Sequence, residues 1–112
     1  MKRSTLKRRT RLKRVNTRRH GKRWTSQYGS LERVEWIASL PCALCGAPPP
    51  SVNMHVRSRG AGGKARHIIP ACSVCHGLAH SAGHKTLYAE RGVTEQGMLD
   101  AAAALDRAWE AR

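Results

Sequence analysis

The stretch CSVCHGLAHSAGH, residues 72–84, places two cysteines and three histidines in thirteen positions. Cys72 and Cys75 form a CxxC pair, and a second pair, Cys42-Ala-Leu-Cys45, lies upstream with residues 46–71 between them. Each spacing lets a tight turn aim both sulfurs at one ion, and four thiolates complete a closed tetrahedral zinc site. The expectation is a structural zinc held by Cys42, Cys45, Cys72 and Cys75. Such a site would pin the 41–46 turn to the start of a helix near Cys75. CSVCH also matches the CxxCH of haem attachment, but that reading requires export and leaves the other pair unexplained.

His76 follows Cys75 directly, so on a helix it points away from the cysteine site. His76 and His80 stand at i and i+4 on one face, the spacing that lets two imidazoles share an ion. His55 belongs to VNMHV, residues 52–56, a short segment rich enough in β-branched residues to be a strand. Together these three histidines predict a second metal site. His84 follows Gly83, where the helix is expected to break, and is left out of that site. Acidic residues occur only at 32, 35, 90, 95, 100, 106 and 110, so 36–89 contains no carboxylate. The second site must therefore use neutral imidazole and water, which suit zinc, nickel and similar ions better than magnesium.

The other elements follow from local signals. Ser30 caps a helix through Leu40, with Leu31, Val34 and Ala38 as its apolar stripe and Pro41 as its stop. RSRGAGGKAR, residues 57–66, is a basic loop loosened by glycine, and HIIP, residues 67–70, is the second strand. Breaks are expected near Gly83 and Gly92. Thr94 caps a last helix whose Met98, Ala102, Leu105 and Trp109 make a packing face.

Charge is concentrated at the N-terminus. The 112-residue chain has 21 Lys and Arg against 7 Asp and Glu, for a net +14, and residues 1–23 hold twelve basic residues and no acid. A basic surface of this density draws polyanions through phosphate contacts and counterion release, which does not by itself separate DNA from RNA. With apolar residues too few and scattered to bury a core, residues 1–29 read as a disordered arm. The leucines are too sparse for the apolar helix face of a mitochondrial presequence. No apolar stretch follows the charged N-terminus and no segment approaches spanning length, so a cytoplasmic protein with reduced cysteines and no membrane partner is expected. With no Phe, three Trp and two Tyr, the core must be small, and metal is the natural supplement.

CALCG, MHVRSRGAGG and HIIPACSVCHGLAH together resemble the HNH endonucleases of ββα-metal fold. The nearest likeness is to small phage-type members that carry an LKR-rich arm. The likeness spans residues 42–91, and the arm loosely. It does not cover the C-terminal helix, and it implies an α+β fold with a zinc knuckle; with the local signals, the expected organisation is the arm at 1–29, the domain over 30–92 and a C-terminal helix over 93–112 packing on it. The likeness also implies DNA phosphodiester hydrolysis in a phage-infected or prophage-carrying bacterial cell. By resemblance, His55 is the general base, His76 a ligand of a catalytic divalent ion (Zn2+, Ni2+, Mn2+ or Mg2+), and His80 the extra helical histidine. Arg57, Arg59 and Lys64 lie where a basic loop would hold the scissile strand. The chain departs from the family twice. Met54 stands where a ligating Asp or His is usual, and His67 stands where the family has Asn. Met54 is the best argument for the alternative, a non-catalytic zinc-containing module that binds DNA or RNA.

Overall fold

The structure, a computed structural model, describes residues 17–57 and 63–112, with the backbone alone for 17–20. Five helices surround a two-stranded antiparallel sheet among the described residues, a mixed α+β arrangement with all four cysteines clustered. In chain order these are α1 (Thr17–Tyr28), α2 (Leu31–Ala38), β1 (Val52–His55), β2 (Ile68–Ala71), α3 (Ser73–Ala82), α4 (His84–Arg91) and α5 (Glu95–Ala111), with a 3-10 turn at Ala65–His67 before β2.

Helix α1 corrects the expectation of a disordered arm over 1–29. Residues 1–16 lie outside the described residues, but 17–28 are helical. Charge density argued for disorder, and contacts at the other end of the segment outweigh it. Trp24 and Tyr28, one turn apart, pack at 5.5 Å between ring centroids, and Tyr28 meets His55 at 5.2 Å with the two rings steeply inclined. The helix ends at Gly29, whose φ of +91° would be strained for any side chain, and whose N–H closes on the Thr25 carbonyl at 2.8 Å.

Ser30 caps α2 as its sequence predicts, its hydroxyl accepting the Arg33 N–H at 3.1 Å. The buried face differs from the expected stripe. Leu31 is 62 % exposed, whereas Ile37 is fully buried and Arg33 is 3 % exposed, paired with Asp106 of α5 at 3.1 Å. The helix is rotated by the needs of α5: Trp36 packs on Trp109 at 5.5 Å, and Arg33 finds its carboxylate on the same partner.

β1 and β2 pair in register Val52↔Ala71, Asn53↔Pro70, Met54↔Ile69 and His55↔Ile68. β2 is buried along its whole length and its Ile68 and Ile69 are central to the interior. Ser51 fixes where β1 begins by binding the end of α2 twice, N–H to the Ala38 carbonyl at 2.9 Å and hydroxyl to the Leu40 carbonyl at 2.6 Å. α5 closes the opposite side. Thr94 caps it, and Met98 and Ala102 are buried while Leu105 and Trp109 are half-buried, along the face their spacing predicts. The core has little aromatic content: Leu, Ile, Val, Ala and sulfur dominate it, with Tyr88 as its aromatic member. Among the described residues no helix is long and apolar enough to cross a membrane.

Candidate functional site

The four cysteine sulfurs lie within 4.8 Å of one another. Cys42 and Cys45 stand on the turn before β1. Cys72 caps α3 through its sulfur, and Cys75 opens the first turn of that helix. Both CxxC pairs show the same local device, a backbone N–H donated to the first sulfur: Leu44 to Cys42 and Cys75 to Cys72, each at 3.4 Å. Gly46 (φ +78°) closes the first turn, its N–H bonding the Cys42 carbonyl at 2.9 Å. The Ala43 N–H bonds the Pro70 carbonyl at 2.9 Å, which ties that turn to β2 and so brings the pairs together.

A zinc–sulfur bond of about 2.3 Å implies tetrahedral sulfurs roughly 3.8 Å apart, and Cys45 and Cys72 are 3.6 Å apart. Proton affinities diverge within the cluster. Burial pushes the Cys75 thiol up to about 12. Burial also opposes ionisation of Cys42, but backbone donors at Cys72, Cys45 and Leu44 outweigh it and bring that thiol down to about 6. Cys45 is raised by the neighbouring Cys72 and Cys42 thiols, despite the Ala47 N–H that favours its charge. Four thiolates this close repel each other, and a bound dication is what lets all of them ionise. These residues are arranged to bind a metal ion, and an all-sulfur donor set fits structural zinc. Four sulfurs leave no open position for a substrate.

A separate open cleft of about 1170 Å³ lies between α1, α2, β1 and α3, lined among others by Arg23, Trp24, Tyr28, Met54 and four histidines, His55, His76, His80 and His84. His55, at the end of β1, is 7 % exposed, and its Nε2 donates to the Gln27 carbonyl of α1 at 2.7 Å. A neutral ring in that tautomer carries its lone pair on Nδ1. Across the cleft the Nε2 atoms of His76 and His80 are 3.1 Å apart, with their rings nearly perpendicular. For an ion about 2.0–2.1 Å from each nitrogen, that separation corresponds to an angle of roughly 100° at the ion, so the pair could hold one. Burial, with the neighbouring His80 and His84, holds the His76 imidazolium below its ordinary range, which favours the neutral, ligating form. Among the described residues, the four sulfurs are nonetheless the only group of three or more His, Cys, Asp or Glu ligand atoms brought this close.

The sequence reading missed His84. The chain does break at Gly83 (φ +97°), but the break re-aims α4 without carrying His84 away. Its Nε2 donates to the His55 carbonyl at 3.1 Å, and Tyr88, one turn on, donates to the Val56 carbonyl at 2.6 Å. α4 thus braces the end of the strand that carries His55. The i, i+4, i+8 spacing of His76, His80 and His84 was the available signal.

Of the loop residues expected to hold nucleic acid, Arg57 and Lys64 do not line the cleft. Arg57 pairs with Glu95 at 2.7 Å, Lys64 donates to the Ser26 hydroxyl at 3.2 Å, and Arg59 lies outside the described residues. Among the described residues, Arg23 of α1 is the cation in the cleft wall. His67 stands apart too. Its Nδ1 accepts the Lys64 N–H at 3.1 Å and it does not line the cleft, so its side chain serves the turn. No family model, curated protein or solved structure matches this chain.

Proposed function

We propose that the chain is a metal-dependent HNH-type endonuclease of ββα-metal architecture, hydrolysing DNA phosphodiester bonds, with the four-cysteine zinc as its structural anchor. One observation carries the reading: His55 at the end of a strand and His76 and His80 on the following helix line one cleft, although the strand and helix are separated in sequence. The basic N-terminal region supplies the affinity for phosphate.

In this reading His55 takes the proton from the attacking water, and the Gln27 carbonyl and the Tyr28 ring hold its ring in place. His76 and His80 would hold a catalytic divalent ion, which would supply charge stabilisation at the phosphate and the leaving 3′ oxygen. Arg23 draws the phosphate into the cleft. His84 positions the His55 backbone.

The test is nicking of supercoiled plasmid with Mg2+, Mn2+, Ni2+ or Zn2+. His55→Ala should lose roughly two to four orders of magnitude in rate, the usual worth of a general base, while keeping zinc and DNA binding. His55→Gln, which can still donate to Gln27, separates lost chemistry from a loosened α1. Cleavage by both variants at the parent rate would remove His55 from the mechanism.

A second reading, a non-catalytic zinc module that binds DNA or RNA, is favoured by Met54. This thioether, 3 % exposed, occupies the place of the family's ligating residue. Absence of cleavage with every ion, together with retained nucleic-acid binding, would select it.

A further inference from the structure

We propose that the cleft takes an unpaired nucleobase, stacked on Trp24. The inference rests on the reading above that the cleft binds nucleic acid, and it names the form of that nucleic acid. Trp24 lines the cleft wall and is 37 % exposed, in a chain with no Phe, three Trp and two Tyr. The other two tryptophans, Trp36 and Trp109, are used on each other between α2 and α5. Trp24 is instead part of a run of rings leading into the site: Trp24 to Tyr28 at 5.5 Å, then Tyr28 to His55 at 5.2 Å. Arg23, the adjacent residue, lines the same wall.

Aromatic faces beside cations in an open groove bind single strands, because every base has a π-face and the phosphates follow the charge. A duplex keeps those faces covered by neighbouring base pairs, so a stacking wall is of use only where a base is unpaired or turned out. The apolar bulk of Trp24 gains nothing from a duplex backbone. Unpaired bases of DNA and RNA share this chemistry.

The test measures binding of the full, zinc-loaded chain to a labelled single-stranded DNA of about 12 nucleotides, within the range a small single-strand site spans. The same sequence as RNA and as duplex DNA completes the set, without added divalent ion so that nothing is cut. Trp24→Ala should weaken single-strand binding about 5- to 150-fold, the range for loss of one stacked base. Trp24→Phe should recover most of it. Duplex affinity and the salt dependence should stay as in the parent, since no charge changes. Equal losses on single strand and duplex would mean that Trp24 only props α1, and no loss would mean that no base stacks there; either overturns the proposal. Should Trp24→Ala unfold α1, tryptophan fluorescence decides. A single strand should quench the parent and leave Trp24→Phe, which keeps Trp36 and Trp109, unquenched, whereas equal quenching in both would be against it. Tighter binding of the RNA strand would assign the base to RNA. A chain that stacks but never cuts leaves this inference standing and sinks the nuclease; one that cuts duplex plasmid with no single-strand preference does the reverse.

Discussion

The Nε of Arg91 donates to the Sγ of Cys75 at 3.2 Å, from the last turn of α4 to the first turn of α3. Four thiolates around a dication leave the centre with excess negative charge, and Arg91 supplies the compensating cation. The same contact raises the Arg91 guanidinium above its ordinary value. Outer groups of this kind set how firmly a metal is held. Arg91→Ala should therefore lower zinc affinity roughly 10- to 100-fold, read as transfer to a chromophoric chelator, and Arg91→Lys should recover part of it. An unchanged transfer would make the contact incidental.

Removing a sulfur has a larger consequence. Because the two CxxC pairs join the turn before β1 to α3, metal binding here is also folding free energy. Cys45→Ser and Cys72→Ser should each give a chain that loses zinc and its cooperative thermal transition. Elemental analysis of the parent should find at least one zinc per chain. A folded, metal-free parent would sink the assignment.

Local signals made most of the framework legible. The caps at Ser30 and Thr94, the breaks at Gly83 and Gly92 and the two strands are all chain-local, and each lies within a residue or two of its expected place. What sequence could not show was tertiary. α1 is held by rings that meet His55, twenty-seven residues beyond Tyr28, and charge counting over residues 1–29 gave these no weight. The α2 stripe failed for a similar reason: Arg33 looks exposed until Asp106 arrives from α5. The cysteine site was readable because its spacing encodes its geometry. The cleft was readable only in part, since His84, Arg23 and Trp24 enter it through the placement of whole helices.

His67 allows a pH prediction. Burial first, then the positive Arg66, Arg57 and Lys64, lowers its pKa from the ordinary 6.5. The neutral ring accepts the Lys64 N–H, a bond that protonation of Nδ1 abolishes. The unfolded chain therefore binds this proton more readily than the folded one. Stability should fall as pH drops below 6.5 and should keep falling through the lowered folded-state value. His67→Gln should flatten that part of the curve in thermal melts at fixed zinc. Since His67 does not line the cleft, the same variant should leave cleavage at neutral pH unchanged.

Met54 offers the sharpest separation between nuclease and binding module. The side chain belongs to the core, opposite Ile69 on the sheet, and also lines the cleft beside His55. Met54→Asp would place a carboxylate in a site only 3 % exposed. Without a cation that burial should cost roughly 3 kcal/mol or more, visible as a lowered thermal midpoint. If His76 and His80 hold an ion within reach of this strand, the new carboxylate becomes a third ligand and favours harder cations. Mn2+ or Mg2+ should then raise the midpoint of the variant by more than that of the parent, and plasmid cleavage with those ions should rise. Destabilisation that no divalent ion reverses would place position 54 out of reach of any such ion. A parent that cuts nothing, beside a variant that cuts with Mn2+, would identify the natural chain as a binding module in which the buried thioether stands where a ligand is needed.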